Sequence, residues 1–217
     1  METIETIDYK GYTINIYRLD EALDTPRADD NLGSMVCFHG KYDLGDKHDY
    51  KHDDFNSWEA LKEQIIKDHN PIVILPLFLY DHSDISIKTF IHGVHASWDG
   101  GWVGFIFVSK EKIKKEYKVK KISAKLKKTI ENNLIAEVET YNDYLQGNIY
   151  GYTVEKDGER LDSCGGYYGD YDTSGLLTEA QGNIDYYIKE ALKQHGTKLK
   201  AQIKHNVGLE HREPLLS

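Results

Sequence analysis

Residues with chemical reach gather at a few places in this chain. Cys37 and His39 alternate along a predicted strand and so share a face. A thiol beside an imidazole can be activated as a nucleophile. Asp81-His82-Ser83-Asp84 follows directly on an apolar run. Strand ends present side chains there, and a carboxylate beside an imidazole can orient a general base. Asp99 follows Trp98, close to His92 and His95. Cys37, His39, Asp81, His82 and Asp99 therefore form a candidate catalytic set for a small hydrolase or small-ligand pocket. Cys164 precedes Gly165-Gly166, where a backbone can approach a ligand closely. His48 and His52 are four apart among Asp49, Asp53 and Asp54, a spacing that on a helix would bring two imidazoles to one metal. That segment is polar throughout and reads as loop, so neither metal nor cofactor is expected. Each feature has a plainer reading, and the plainer one is favoured. Cysteine is among the most buried side chains, and Asp, Ser and His are ordinary turn residues.

Other chemistries are excluded by what is missing. No Gly-x-Gly-x-x-Gly opens a helix, no Walker lysine follows a glycine loop, and Cys-x-x-Cys does not occur. Dinucleotide, P-loop and zinc-ribbon readings therefore fail. Two cysteines exclude a disulfide framework and predict reduced thiols. The opening Met1-Glu2-Thr3 lacks a basic segment followed by an apolar one, so no secretory signal is expected. No apolar run reaches the roughly 18 residues of a membrane span. A location in the cytoplasm of the host cell follows as the expectation.

Charge is unevenly spread. The formal charge is −9, yet Lys110 to Lys128 holds ten lysines and two glutamates, leaving −17 for the remainder. Net acidity argues against direct nucleic-acid binding. The lysine run reads as the solvated face of helices, its charge mixed with Glu111 and Glu116. Asp20 to Asp54 carries ten acids against Arg27, Lys41, Lys47 and Lys51. Sixteen tyrosines against six phenylalanines suit half-buried strands, and also wet interfaces. The acidic, tyrosine-rich loops at Asp43 to Phe55 and Gly165 to Tyr171 supply a candidate binding surface. Its residues are Asp43, Asp46, Asp49, Asp53, Asp54, Trp98, Trp102, Tyr167, Tyr168, Asp170 and Tyr171. Such a surface fits a protein partner with a basic face and leaves a homodimer open.

Periodicity supplies the elements that must position these residues. Ile4 to Tyr9 and Tyr12 to Leu19 predict a hairpin around Lys10-Gly11, and Ser34 to His39 a third strand. Gly40 to Phe55 is a long loop, of the kind that is often functional or mobile. Asn56 with Glu59 reads as a capping box for a helix that stops at Asn70-Pro71. Strands follow at Ile72 to Tyr80 and Trp102 to Ser109, with Ile85 to Ile91 extended. A short helix covers Lys110 to Tyr117. A longer one from Ser123 carries Leu126, Ile130, Leu134, Val138, Tyr141 and Leu145 on one stripe. Ile149 to Glu155 and Arg160 to Cys164 flank an Asp-Gly turn, and a last helix spans Thr178 to His195 before Gly196. The prediction is a single α+β domain over 1–196, an antiparallel or mixed sheet with about four helices packed on it, and a polar tail over 197–217.

The sequence resembles an uncharacterised family encoded by bacteriophages, plasmids and other bacterial mobile elements. The likeness is carried by Asp30-Asn31-Leu32-Gly33, Met35, Cys37 and His39, and by Tyr42 with Leu44-Gly45-Asp46. It continues in Leu75-Pro76-Leu77, Leu79-Tyr80-Asp81-His82-Ser83, Trp98-Asp99, Gly101 and Val103-Gly104-Phe105-Ile106. Val108-Ser109-Lys110-Glu111-Lys112, Glu137-Val138-Glu139-Thr140-Tyr141, Leu145, Gly147 and Asp162-Ser163-Cys164 complete it, over roughly residues 12 to 170. The chain departs from the pattern at Ala96-Ser97, where the family has Cys-Pro, and at Gly165, where it has an aromatic. The resemblance implies a setting and no reaction: an accessory factor that binds and inhibits a host defence component, of the counter-defence, anti-CRISPR or antirestriction type.

Overall fold

The structure, a computed structural model, describes residues 3–19, 24–28, 30–81, 85–89, 100–205, 208 and 211. In chain order its elements are β1 (Thr3–Tyr9), β2 (Tyr12–Arg18), β3 (Ser34–Cys37), α1 (Trp58–His69), β4 (Pro71–Asp81) and β5 (Ile85–Thr89). They continue with β6 (Gly100–Ser109), α2 (Lys110–Glu116), α3 (Ala124–Leu145), β7 (Ile149–Lys156), β8 (Glu159–Tyr168) and α4 (Leu176–Lys204). Among the described residues the fold is α+β, with four α-helices and two antiparallel four-stranded sheets in place of one. Each sheet belongs to its own compact unit, one built from residues 1–20 with 149–217 and the other from 21–148. No described helix is long and apolar enough to cross a membrane.

In the first unit the strand order is β1-β2-β7-β8. Lys10-Gly11 and Asp157-Gly158 both take positive φ, the geometry that two-residue hairpin turns require. The alternation read from the sequence holds: Tyr12, Ile14 and Ile16 of β2 are buried and pack with Tyr152 and Val154 of β7. The helix α4 closes that face with Leu176, Ala180 and Ile184. Two boundaries differ from expectation. β8 continues past Cys164 to Tyr168, and α4 runs through Gly196 to Lys204. The predicted tail at 197 is therefore helical at its start. A helix-interior glycine costs about 1 kcal/mol, and the residues after Gly196, Lys198 to Lys204 among them, are mostly good helix formers.

In the second unit the order is β3-β6-β4-β5. Val103 to Val108 of β6 are buried without a break, because helices cover both faces of this sheet. Met35, Cys37, Leu77, Leu79, Val103, Ile106 and Val108 meet Ile130, Leu134 and Val138 of α3. Val36, Phe105 and Phe107 meet Leu61 and Ile65 of α1. The α1 cap lies one residue beyond the predicted Asn56: Ser57, in extended backbone, accepts the Ala60 N–H at 3.1 Å. Ser123 caps α3 as its sequence predicts, accepting the Leu126 N–H.

Candidate functional site

The long β3–α1 connection is held from below by a buried arginine. Arg27, only 2% exposed at its side chain, donates from Nε and Nη2 to both oxygens of Asp46 at 2.8 and 2.9 Å. Its Nη1 reaches Glu137 Oε2 at 3.0 Å, and Nη2 also donates to the Gly33 carbonyl. Glu137 accepts the Leu32 and Gly33 N–H groups, and Asp46 accepts the Met35 N–H. Tyr141 accepts the Gly45 N–H through its hydroxyl at 3.0 Å. Asp46, expected on the binding surface, thus spends its carboxylate inside the molecule. In the sequence Arg27 is one base among ten acids and Glu137 only part of the resemblance; their pairing is not visible there, since a buried guanidinium and an exposed one read alike.

Farther along the same loop, Tyr50 donates to Asp68 Oδ2 and meets His69 Nε2, both at 3.0 Å. Burial first, then Asp68, pushes the Tyr50 hydroxyl up to about 12. Gln64 holds the other side of Asp68 at 2.9 Å. This array ties the loop to the last turn of α1. With His48, Asp49 and Lys47 it lines a groove of about 460 Å³.

A second hollow, of about 250 Å³, opens at the start of α1 and is lined by Phe38, His52, Phe55, Asn56, Ser57, Trp58 and Leu61. An aromatic bank backs it. Trp58 stacks on Trp102 with ring centroids 6.4 Å apart, and Trp102 meets Phe78 at 5.1 Å and Phe105 at 5.8 Å. Trp102 reaches this bank through a bulge in β6. Leu77 pairs with Gly104 but Phe78 pairs with Trp102, which leaves Val103 as the extra residue. Strict alternation from Ile106 would have put Trp102 on the α3 face; the bulge re-aims it toward α1. Gly104, at φ +159°, makes the bulge possible, because a Cβ there would lie 1.9 Å from the Val36 carbonyl oxygen.

Of the expected catalytic set, Cys37, His39 and Asp81 fall within the described residues. Cys37 is buried in the α3-side core, and burial, with Asp46 adding to it, pushes its thiol up to about 12. A nucleophilic cysteine needs the opposite shift. His39 and Asp81 do share a neighbour. His39 stacks on Tyr42 at 5.0 Å and accepts the Lys41 and Tyr42 N–H groups, and Tyr42 donates to Asp81 at 3.2 Å. His82, Trp98 and Asp99 lie outside the described residues, as do His92 and His95.

His48 and His52 both pack on Phe38. Each ring meets Phe38 edge-on, at 5.2 and 5.5 Å, and His48 Nε2 faces the Cys37 carbonyl at 3.1 Å. That contact fixes the proton on Nε2. Among the described residues no three His, Cys, Asp or Glu side chains gather as a metal would require.

The binding residues predicted for the loop are largely where a partner can reach them. Asp43, Asp49, Asp53 and Asp54 are exposed. Asp53 and Asp54 complete a 3-10 turn with His52 and are followed by Phe55, and His52 and Phe55 both line the aromatic hollow. Trp102 is 38% exposed. In the first unit, Tyr167 and Tyr168 belong to strand β8 and not to a loop. The Tyr167 ring packs 6.0 Å from Tyr152. Its hydroxyl is enclosed without a hydrogen bond among the described residues, and burial, then Cys164 and Glu179, raises its pKa. Tyr168 is half-buried opposite Ile149. Asp170 accepts the Asp172 N–H, and Tyr171 donates to Glu5 at 2.6 Å. In this region Asp170 is the exposed member of the predicted set. Comparison with protein-family models, with curated proteins and with solved structures found no match to this chain.

Proposed function

We propose that this is a binding protein that recognises a basic protein surface through its β3–α1 loop, acting as a phage or mobile-element factor that inhibits a host defence component. One observation carries the reading: exposed Asp53 and Asp54 lie in the chain between His52 and Phe55, two of the residues that line an aromatic hollow with Phe38 and Trp58. A hot spot of this kind pairs buried aromatic anchors with a polar rim that excludes water and sets partner choice. Arginine and lysine side chains of a partner fit it twice over, by charge against the carboxylates and by stacking against the rings. The loop is held by Arg27 below and by Tyr50 at α1, so docking orders little new chain, which favours affinity.

Capture from lysates of defence-bearing host strains tests this, run with the wild-type chain, an Asp53→Asn/Asp54→Asn variant and Trp58→Leu. The expected result is one stoichiometric partner with a basic surface, retained by the wild type and lost with either variant. Failure to recover any partner across several strains, or equal recovery by all three proteins, would refute the reading. A second reading, a small-ligand-binding protein or hydrolase, draws on the 460 Å³ groove beside His48, Tyr50 and His69. It ranks lower because Tyr50, Asp68 and His69 already satisfy one another.

A further inference from the structure

The lysine run lies on the solvated face of its helices, as its sequence suggests, and carries more charge there than its neighbours neutralise. Nine of the ten lysines from Lys110 to Lys128 are exposed. The tenth, Lys112, donates to the Asn31 carbonyl. Glu111 and Glu116 stand exposed among them, as expected. Among the described residues the single ion pair of the run is Lys128 with Glu131, at 3.2 Å. Eight ammonium groups are therefore left facing water on α2, on the connection to α3 and on the first turn of α3. The apolar side chains of the segment turn the other way: Ile113 is buried, and Tyr117, Ile122 and Leu126 pack on the α3-side core.

We propose that this segment binds the phosphate backbone of duplex nucleic acid without reading its sequence. Ammonium groups on flexible stems suit phosphates as point charges. The run contains no arginine, the residue that reads guanine edges by paired hydrogen bonds. Its one aromatic, Tyr117, is half-buried and accepts from Asn133, so no ring stands free to stack on unpaired bases. An anionic membrane fits less well. No large exposed hydrophobic lies within the run, and interfacial helices need apolar side chains to insert. Glu111 and Glu116 leave the run at +8, and acids more than about 10 Å from it are largely screened at 0.1 M salt. This site is independent of the acidic loop and stands or falls without it.

The test is anisotropy of a labelled duplex of about 20 base pairs with the full chain, over salt from about 25 to 150 mM. Four or five lysines reaching phosphates give a slope of log K against log salt of about −4, and a dissociation constant in the range of about 1 to 100 µM. Two unrelated duplex sequences are expected to bind equally. A Lys114→Gln/Lys115→Gln/Lys120→Gln/Lys121→Gln variant, shown by circular dichroism to be folded, is expected to bind at least about 10-fold more weakly with a shallower slope. The proposal is overturned by absence of binding at the lowest salt, by equal binding of the quadruple variant, or by preference for phosphatidylserine vesicles over the duplex.

Discussion

Replacing Arg27 by methionine would leave the carboxylates of Asp46 and Glu137 converging on an apolar side chain. Breaking a buried ion pair by removing one partner costs about 3–5 kcal/mol, because a charge stays buried without compensation. Here the low end applies. Asp46 and Glu137 retain 26% and 16% side-chain exposure, and each keeps backbone N–H donors from the 32–35 segment. A loss of about 3 kcal/mol corresponds to a fall in Tm of about 6–12 °C for a chain of this size. Tryptophan fluorescence is the right assay, since Trp58 and Trp102 belong to the 21–148 unit and no tryptophan of the sequence falls in 1–20 or 149–217. A triple variant, Arg27→Met with Asp46→Asn and Glu137→Gln, removes every charge of the network and is expected to recover at least half the loss. The reasoning fails if Arg27→Met costs under about 1 kcal/mol, or if the triple variant is no more stable than the single one.

Three further outcomes follow from the same geometry. Gly104→Ala sets a Cβ against the Val36 carbonyl, so about 3 kcal/mol is lost as overpacking and Trp102 fluorescence moves to the red; an unshifted spectrum would count against the bulge as the device that aims Trp102. At pH 8 a thiol reagent is expected to label half-buried Cys164 and leave Cys37 untouched until unfolding. The Cys37 thiol is held near 12 when folded and ionises at roughly 8.5 when unfolded. Above that lower value the unfolded state binds fewer protons, so stability is full below about pH 8.5 and falls by about 1.4 kcal/mol per pH unit from this group. Urea melts between pH 8 and 10.5 that show no such fall, or show it undiminished in Cys37→Ala, would contradict the assignment. Tyr50→Phe removes the hydroxyl shared by Asp68 and His69, for about 1 kcal/mol and faster proteolysis between residues 39 and 57; an unchanged cleavage rate would show that the tie does not hold the loop.

What was legible in the sequence is what local chemistry dictates. Lys10-Gly11 and Asp157-Gly158 signalled hairpins because few residues tolerate two successive positive φ angles, and the α3 stripe from Leu126 to Tyr141 signalled its buried face by its spacing alone. Division into two sheets was not legible, since β2 finds its second neighbour in β7, more than a hundred residues later, and no local signal marks such a pairing. The same limit hid the candidate site. The Asp- and His-rich loop was recognisable by its length, but its hydrogen-bond partners Arg27, Tyr141, Asp68 and His69 lie outside it. Trp102 was placed in the binding set for its type, while the bulge that turns it toward Trp58 depends on how close β6 passes to β3 at Gly104. Asp46 shows the reverse error: in the sequence it is one acid among ten, and only the fold shows that Arg27 uses it.

An exposed acidic loop and an unpaired lysine run on the same 21–148 unit are complementary to each other as well as to foreign partners. Two copies should therefore attract when salt is low, because the field of each cluster reaches about 30 Å at 0.01 M salt and about 10 Å at 0.1 M. This attraction competes with both proposed bindings, and it scales with protein concentration, whereas duplex binding at trace duplex follows free protein alone. Sedimentation velocity separates the two. The weight-average sedimentation coefficient is expected to rise with concentration at about 0.02 M salt and to lose that dependence by about 0.2 M. Neutralising either cluster, by Asp53→Asn/Asp54→Asn or by the quadruple lysine variant, is expected to reduce the effect. Association that survives 0.2 M salt in both variants would instead point to an apolar interface. The exposed Leu192 and Ile203 of α4 would then be the first residues to replace.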